Sequence, residues 1–357
     1  MSWEERVKKV VPYVPGDQPK FKDMVKLNTN ECPYPPAPGV ERMLKEMSYE
    51  DFRLYPAPGA DDLVESLADY YKVKPSQVFV GVGSDDVIAM AFLTFFSSGE
   101  KIFFPDITYS FYPVWAQVYG IPYETKALDK DFHIKASDYT YANGGVIFPN
   151  PNAPTGLLEP LSVVEEIIRV NKDSVVIVDE AYIDFADEGS SALPLIDRYE
   201  NLLVVRTFSK SRAMAGMRIG YAIGNERLIK YLNDVKFSVN SYTMNRPSLL
   251  LGVEAVKDDA YFKETLSKIR ATRERMKQEL VQIGFSFPDA QSNFIFATHR
   301  SLPASEIYGA LKEKHIFVRY FNTPGIDNYL RITVGTEDEA DILIDALKEI
   351  LKERNSL

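Results

Sequence analysis

Cysteine and histidine are scarce in this chain, and both scarcities limit its chemistry. The 357 residues include one cysteine, Cys32, and three histidines. A single cysteine cannot form an intrachain disulfide or a cysteine-rich zinc site, so nothing in the sequence calls for an oxidising compartment. His133, His299 and His315 are too scattered for a metal-ligand pair, and no His-Glu-x-x-His motif occurs. We therefore expect no bound metal.

The chain also lacks an excess of positive charge and a long apolar run. Its 41 lysines and arginines stand against 51 aspartates and glutamates, a net charge of −10, and the pI is near 5.1. A surface that follows nucleic-acid phosphates needs clustered positive charge, so small molecules are the expected partners. The longest apolar run, 87–96, is too short to span a bilayer, and the N-terminus is charged where a signal peptide needs an apolar core. We expect a cytoplasmic protein with no membrane or nucleic-acid partner.

Between about residues 50 and 250, short apolar runs alternate with longer amphipathic segments, as in a mainly parallel sheet covered by helices. The runs are nearly continuous, which is typical of strands buried on both faces. Strands are predicted at 78–80, 101–104, 146–148, 175–178, 202–206 and 219–223. Helices are predicted at 60–71, 85–96, 162–170 and 225–235.

The pattern changes beyond about residue 255. A long charged helix is predicted to reach about residue 283, followed by strands near 293–297, 316–319 and 329–334 and a helix from Glu337, which indicates a smaller α+β domain. The proline-rich first 40 residues are expected to wrap onto the rest. The predicted organisation is an N-terminal segment (1–45), a large domain (46–250) and a small C-terminal domain (251–357).

Several catalytic motifs are absent or incomplete. The stretch GVGSDD at 81–86 follows a predicted strand and opens a helix, but a dinucleotide fingerprint needs glycine or alanine where Asp86 stands. No P-loop and no Gly-x-Ser-x-Gly motif occurs. Hydride transfer, serine hydrolysis and metal chemistry are therefore disfavoured.

Polar and aromatic side chains instead follow several of the predicted strands. Asp179 and Tyr182 follow one, Lys210 another, and Tyr109 and the turn 150–156 two more. Each has an ordinary interpretation alone: a helix cap, a solvated lysine, a core aromatic or a loop. The carboxyl ends of parallel strands meet where such folds bind ligands, so together these groups favour a site for a planar, phosphorylated aldehyde. A lysine after a buried strand is a candidate nucleophile for its carbonyl.

The motifs NPNAPTG (150–156), DEAY (179–182) and TFSK (207–210), with Arg218 eight residues after the lysine, resemble the fold-type I pyridoxal-phosphate aminotransferases. The similarity runs from Pro12-Tyr13 through LNTNE (27–31) and LYP (54–56) to LRITVG (330–335), and is greatest to the histidinol-phosphate aminotransferases. It implies an α/β fold in which the large domain has a mainly parallel seven-stranded sheet. It also implies pyridoxal 5′-phosphate and the conversion of L-histidinol phosphate and 2-oxoglutarate to imidazole acetol phosphate and L-glutamate, a step of histidine biosynthesis.

The resemblance implies a role for each cofactor-site residue. Lys210 would bond the cofactor and then move a proton as general base and acid. Asp179 would keep the pyridine nitrogen protonated, Tyr182 would donate to the phenolic oxygen, and Tyr109 would stack on the ring.

Further residues would hold the cofactor's phosphate. They are Arg218, the hydroxyls of Thr207 and Ser209, the helix start at Ser84 and Asp85, and Tyr55 from a neighbouring subunit. This last role implies a homodimer with shared sites, on whose partner the N-terminal segment would also pack.

Substrate recognition by analogy would use Arg331, with Arg319, Tyr13 and Asn30. Two positions depart from the family. Ala153 stands where many relatives have an asparagine that bonds the phenolic oxygen, so either Asn152 replaces it or Tyr182 acts without it. Cys32 stands where relatives often have asparagine.

Three other functions remain open at this point. A threonine-phosphate decarboxylase has a similar sequence and also binds a phosphorylated amino compound. A broad aromatic aminotransferase is compatible with 21 tyrosines and 21 phenylalanines. The third is a non-catalytic binding module with the same fold, which the presence of Lys210 disfavours.

Overall fold

The computed structural model describes residues 2–21 and 23–354 and contains two β-sheets. Residues 1, 22 and 355–357, which belong to the predicted N- and C-terminal segments, lie outside the described residues. The strands are β1 (Val25–Leu27), β2 (Val78–Gly81), β3 (Ile102–Pro105), β4 (Tyr123–Lys126), β5 (Gly145–Pro149), β6 (Val176–Asp179), β7 (Leu202–Thr207), β8 (Gly220–Gly224), β9 (Phe285–Ser286), β10 (Phe294–His299), β11 (Ile316–Tyr320) and β12 (Leu330–Thr333).

The α-helices are α1 (Pro38–Glu46), α2 (Asp61–Tyr71), α3 (Ser84–Phe95), α4 (Tyr112–Tyr119), α5 (Leu161–Val170), α6 (Glu226–Val239), α7 (Arg246–Lys257), α8 (Asp259–Gln282), α9 (Ala304–Glu313) and α10 (Glu337–Glu353). Short 3-10 helices cover Trp3–Glu5, Tyr49–Arg53, Pro75–Gln77, Ala136–Tyr139, Ile183–Phe185, Leu193–Asp197 and Ala215–Met217. Across 2–21 and 23–354, no helix has the length and apolar character needed to cross a membrane.

The larger sheet has seven strands in the order β2-β8-β7-β6-β5-β3-β4. The five strands from β7 to β4 are parallel to their neighbours, and β8 runs antiparallel to both β7 and β2. This arrangement confirms the predicted α/β class with a mainly parallel seven-stranded sheet. Pro149, Asp179 and Val205 are aligned across β5, β6 and β7, so the carboxyl ends of these strands lie side by side.

The central strands are buried on both faces because helices cover the sheet on both sides. Along β6, Val176 and Val178 belong to one apolar cluster and Ile177 to another on the opposite face. The alternation follows from the two-residue period of a strand. Burial on both faces also explains why the sequence shows a continuous apolar run in β6. The packed strand holds Asp179, at its end, in a fixed place.

The smaller sheet has the order β1-β11-β12-β10-β9. β1, from the N-terminal region, runs parallel to β11, and the other pairs are antiparallel. Helices α8, α9 and α10 pack on this sheet, with Met276, Ile307 and Leu347 fully buried in its core. The N-terminal region thus joins the C-terminal part of the chain, bringing the segment after β1 to the end of β12.

The sequence prediction lacks seven elements of the structure: β1, β4, β9, α1, α4, α7 and α9. β4 was not predicted because its residues are largely exposed and include Glu124 and Lys126, so the edge strand lacks an apolar pattern. The long helix predicted beyond about residue 255 is confirmed as α8, but the separate helix α7 before it was not predicted. The helical conformation is interrupted at Asp258, between α7 and α8. The Asp258 carboxylate accepts a hydrogen bond from the backbone N–H of Tyr261 and caps α8.

Candidate active site

One cavity of about 200 Å³ lies at the carboxyl ends of the central parallel strands. Nine residues predicted from the sequence line it: Ser84, Asp85, Tyr109, Asp179, Tyr182, Thr207, Ser209, Lys210 and Arg218. Its other lining residues are Thr29, Glu31, Pro149, Ala153, Ala181 and Ala215. The structure therefore assembles most of the predicted cofactor residues in one place, from segments far apart in the sequence.

Asp179, the last residue of β6, is a buried carboxylate. It accepts hydrogen bonds from the Tyr112 hydroxyl at 2.9 Å and from the Ala181 backbone N–H at 3.2 Å. Burial raises the pKa of Asp179 to about 6, and these two hydrogen bonds offset only part of the shift. No cationic side chain among the described residues pairs with it, so the site can accept a positively charged group there.

The raised pKa predicts how Asp179 affects the stability of the ligand-free protein. The folded state keeps the proton up to about pH 6 and the unfolded chain only up to about pH 3.8, so the free energy of unfolding falls between these values. Asp179→Asn should therefore raise the free energy of unfolding by up to about 3 kcal/mol at pH 8, and by nothing at pH 3.5. Urea unfolding of both proteins at the two pH values checks this. An equal change in the free energy of unfolding at both pH values would show that burial does not raise the pKa of Asp179.

Lys210 and Tyr182 are neighbours in the cavity. The Lys210 Nζ donates to the backbone carbonyl of Thr29 at 3.0 Å and lies 5.8 Å from the centre of the Tyr182 ring. The buried Tyr182 hydroxyl accepts a hydrogen bond from the Asn30 side-chain Nδ2 at 2.9 Å. An amine held by a single neutral acceptor at the edge of a cavity is free to react with a carbonyl compound.

Hydrogen-bond donors suited to an anion converge at the N-terminus of α3. Gly83 precedes this helix with φ of +86° and no side-chain cap, which leaves backbone N–H groups free at the helix start. Gly220 is required beside them, because a Cβ there would lie 2.2 Å from the Ser84 nitrogen. The hydroxyls of Thr207 and Ser209 bond each other at 2.9 Å in the same region.

Arg218 adds a positive charge to this group of donors. Its Nη2 lies 3.3 Å from the Asp85 carboxylate, which also accepts from the Tyr109 hydroxyl at 2.8 Å. The Arg218 side chain is 44% exposed, so its pairing with Asp85 leaves guanidinium donors available to a ligand. Helix N-terminus, hydroxyls and guanidinium together form a phosphate-type site.

Two predicted cofactor residues do not reach this cavity. The Asn152 amide donates to the Ile107 carbonyl at 3.0 Å and to the Thr155 hydroxyl at 3.2 Å, and the methyl group of Ala153 lines the cavity. Tyr55 is 79% exposed and stacks at a tilt on Tyr242, 4.6 Å between ring centres, at a separate open cleft.

The predicted substrate residues lie on or near the smaller sheet. Arg319 on β11 and Arg331 on β12 are directly opposite each other in the antiparallel pair. Arg331 donates to the Asn28 carbonyl at 3.1 Å, but its buried Nε has no partner, and neither arginine pairs with a carboxylate among the described residues. Like charges in this arrangement repel, so the pair is suited to an anion. Tyr13 stacks on Phe111 at 4.1 Å, and both Tyr182 and Arg331 pack against Phe294.

Sequence reasoning missed three residues that hold the site together. Tyr112 binds Asp179, the Thr29 carbonyl binds Lys210, and Thr333 binds Asn30. A backbone carbonyl has no sequence signal. Thr29 and Thr333 lie within the LNTNE and LRITVG motifs, but the sequence does not show which groups they contact.

Comparison with known proteins places this arrangement in a family. The family Aminotransferase class I and II matches residues 22–347, and the chain belongs to it. A histidinol-phosphate aminotransferase from Brachyspira hyodysenteriae is 49% identical over 348 residues, which is 98% of each chain. Histidinol-phosphate aminotransferase 1 from Hydrogenovibrio crunogenus is 50% identical over 354 residues, 99% of each.

Solved structures show the same fold. The histidinol-phosphate aminotransferase from Clostridium acetobutylicum superposes with a TM-score of 0.85 at 25% identity, covering 92% of this chain and 99% of that one. The Sinorhizobium meliloti enzyme in complex with pyridoxal-5′-phosphate also gives 0.85, at 23% identity, covering 92% and 91%. Enzymes of this family depend on pyridoxal phosphate.

The residues of the cavity fit that cofactor. The buried Asp179 carboxylate without a cationic partner suits a protonated pyridine nitrogen, and the donors around α3 suit a phosphate. Lys210 lines the same cavity and supplies an amine for the aldehyde. Within residues 2–21 and 23–354, no group of three or more His, Cys, Asp or Glu side chains is arranged to hold a metal ion.

Proposed function

We propose that this chain transfers the amino group of L-histidinol phosphate to 2-oxoglutarate, giving imidazole acetol phosphate and L-glutamate in histidine biosynthesis. The relatives that are about half identical over nearly the whole length carry the name histidinol-phosphate aminotransferase. The observation that carries the substrate assignment is the Arg319 and Arg331 pair without a carboxylate partner. The single cysteine calls for no oxidising compartment, and we place the reaction in the cytoplasm.

Bound pyridoxal phosphate supplies an aldehyde that bonds an amine and a ring that takes up the electron pair released at the adjacent carbon. Asp179 would hold a proton on the ring nitrogen through a charge-assisted hydrogen bond in a buried setting. Arg218, Thr207, Ser209 and the start of α3 would hold the phosphate. These contacts would keep the ring in a fixed position during the reaction.

Lys210 carries the proton during the reaction. Its Nζ would hold the cofactor through the aldehyde and would be a free amine once the amino substrate is bound. Lys210 would then take the proton from the substrate carbon as a general base and deliver it, as a general acid, to the aldehyde carbon of the cofactor. Tyr182 would donate to the ring's phenolic oxygen, and Tyr109 would stack on the ring.

The two arginines explain how one site accepts two different substrates. Burial, with a contribution from the positive charge of Arg319, lowers the pKa of Arg331. An anion between them removes the repulsion, and a planar guanidinium binds either a phosphate or a carboxylate with two parallel hydrogen bonds. Arg331, assisted by Arg319 and Tyr13, would bind the phosphate of histidinol phosphate in one half-reaction and a carboxylate of glutamate in the other.

Arg331→Lys is expected to raise the KM for L-histidinol phosphate and for glutamate by roughly 10-fold or more, because a point charge replaces a two-pronged donor. Steady-state kinetics with each substrate varied in turn measures this. The near-visible absorption of the bound cofactor should stay intact. Arg300→Lys, at an exposed position away from the cavity, is the matched control and should leave both KM values unchanged. Two unchanged KM values in Arg331→Lys would move anion recognition elsewhere.

Carbon dioxide release separates this function from the decarboxylase alternative. The purified protein should transfer the amino group of L-histidinol phosphate and release no carbon dioxide from L-threonine phosphate. Carbon dioxide release without amino transfer would assign the chain to the other activity.

We propose a homodimer because of the position of Tyr55. Its exposed side chain lies with Phe52 and Leu54 at an open cleft and does not reach the cavity of its own chain. Three exposed apolar side chains at one cleft are suited to burial in an interface. In a dimer, Tyr55 would donate to the phosphate held in the partner's cavity.

Mixed dimers test whether sites are shared. Tyr55→Phe should weaken cofactor binding by about 10-fold, the loss of one hydrogen bond to a charged group. The Tyr55→Phe chains are then refolded with an excess of Lys210→Ala chains, so that mixed dimers form. The sites that keep Lys210 should regain wild-type cofactor affinity, because the added chains supply Tyr55 to them. Chains that carry both substitutions are the control and should restore nothing. Equal results with both added chains, or a monomeric protein at assay concentration, would contradict shared sites.

A further inference from the structure

Asn30 lies between the tyrosine of the cofactor cavity and the strand that carries Arg331. It is buried, follows β1, and has φ of +58°, a left-handed conformation that asparagine tolerates better than most residues. Its Nδ2 is 2.9 Å from the Tyr182 hydroxyl, and both its backbone nitrogen and its Oδ1 are 3.1 Å from the Thr333 Oγ1. The Asn30 carbonyl accepts from Asn293 at 3.0 Å.

The hydrogen bonds to Thr333 fix which way the Asn30 amide points. The Thr333 oxygen accepts from the Asn30 backbone N–H, so the single proton of its hydroxyl is left to donate to a second group. The group within reach is the Asn30 Oδ1. With the oxygen held there, the Nδ2 must face Tyr182 and donate to its hydroxyl oxygen.

This arrangement leaves the Tyr182 hydroxyl hydrogen available to the cavity. Its oxygen already accepts from Asn30, and the described residues offer no acceptor for its own proton. Residue 153 presents only a methyl group, and the Asn152 amide donates to Ile107 and Thr155 instead. Tyr182 is therefore placed to offer a hydroxyl donor to this part of the cavity.

We propose that Asn30 is a positioning residue that holds the Tyr182 hydroxyl as a donor toward the phenolic oxygen of the bound cofactor. Thr333, on β12, locks the amide through its hydrogen bonds to Asn30. The inference rests on the proposed function in one respect, the contact between Tyr182 and the cofactor. It does not depend on which amino compound is the substrate.

The test is a pH titration of the near-visible absorption of the holoenzyme without substrate. A donor at the phenolic oxygen stabilises the form with the lower proton count, so weakening it should raise the apparent pKa of the chromophore. Asn30→Ala is expected to raise this pKa by about one unit, a tenfold change in proton affinity. Thr333→Val, which keeps the shape but removes the lock, should raise it in the same direction by less. Thr333→Ser, which keeps the hydroxyl, should restore the wild-type value.

Repeating the titrations in a Tyr182→Phe background separates positioning from a general structural role. If Asn30 acts through the tyrosine, Tyr182→Phe alone raises the pKa and adding Asn30→Ala or Thr333→Val changes nothing further. A shift from Asn30→Ala or Thr333→Val that persists without the tyrosine hydroxyl would overturn the proposal, as would an unshifted pKa in both single variants. Thr333→Val provides the answer should Asn30→Ala fail to fold. A different amino substrate would refute the proposed function and leave these titrations unaffected.

Discussion

Asp179→Asn is expected to retain the cofactor, with its phosphate contacts and its bond to Lys210 intact, and to lose about 10³-fold in the rate of transamination. The reason is electrostatic: a buried carboxylate would hold the ring nitrogen in its protonated form, and a neutral amide would not. Loss of one preorganised charge partner in a site screened from water costs up to about this factor. Single-turnover mixing with the amino substrate, followed by absorbance, measures the rate of the proton transfer itself.

The control for this experiment is Asp187→Asn, an exposed carboxylate on the loop that follows β6. It removes the same charge from the same region without touching the cavity, and its rate should match that of the unmodified protein. A near-normal rate in Asp179→Asn would end the role assigned to this carboxylate. Loss of the cofactor itself would show that Asp179 acts in binding rather than in reactivity.

Lys210→Ala is expected to abolish the near-visible band of the lysine-bound cofactor and to lower turnover by at least about 10⁴-fold. In the proposed mechanism the substitution removes both the amine that would bond the aldehyde and the general base, and the base alone would account for about 10² to 10⁴ in rate. Lys230→Ala, which changes an exposed lysine on α6, should leave spectrum and rate unchanged. A retained band in Lys210→Ala would mean that another lysine bonds the cofactor.

Local sequence patterns were sufficient to predict the central strands, and the resemblance to fold-type I aminotransferases predicted most residues of the cavity. Asp179 and Lys210 follow apolar runs that are typical of buried strands, and parallel strands bring their carboxyl ends to one edge. β4 escaped prediction because an exposed edge strand needs no apolar residues. The break at Asp258 escaped it because a cap competes with helix continuation through a single side-chain hydrogen bond.

Contacts across long sequence separations could not be predicted in the same way. Asn30 and Tyr182 are 152 positions apart and Asn30 and Thr333 are 303 apart, and their hydrogen bonds exist only once the two sheets are packed together. The same limit applies to Asn152. Its motif indicates a nearby ligand, but the direction of its amide depends on Ile107 from another loop.

The central claim is that this chain is an aminotransferase for a phosphorylated amino alcohol. The most direct test is one half-reaction: the cofactor-loaded protein is mixed with L-histidinol phosphate, or with L-histidinol as the matched compound without phosphate. We predict that L-histidinol phosphate removes the near-visible band and gives one equivalent of imidazole acetol phosphate per site. At the same concentration, L-histidinol should leave the band unchanged. Equal reaction with both compounds, or none with the phosphorylated one, would contradict the account.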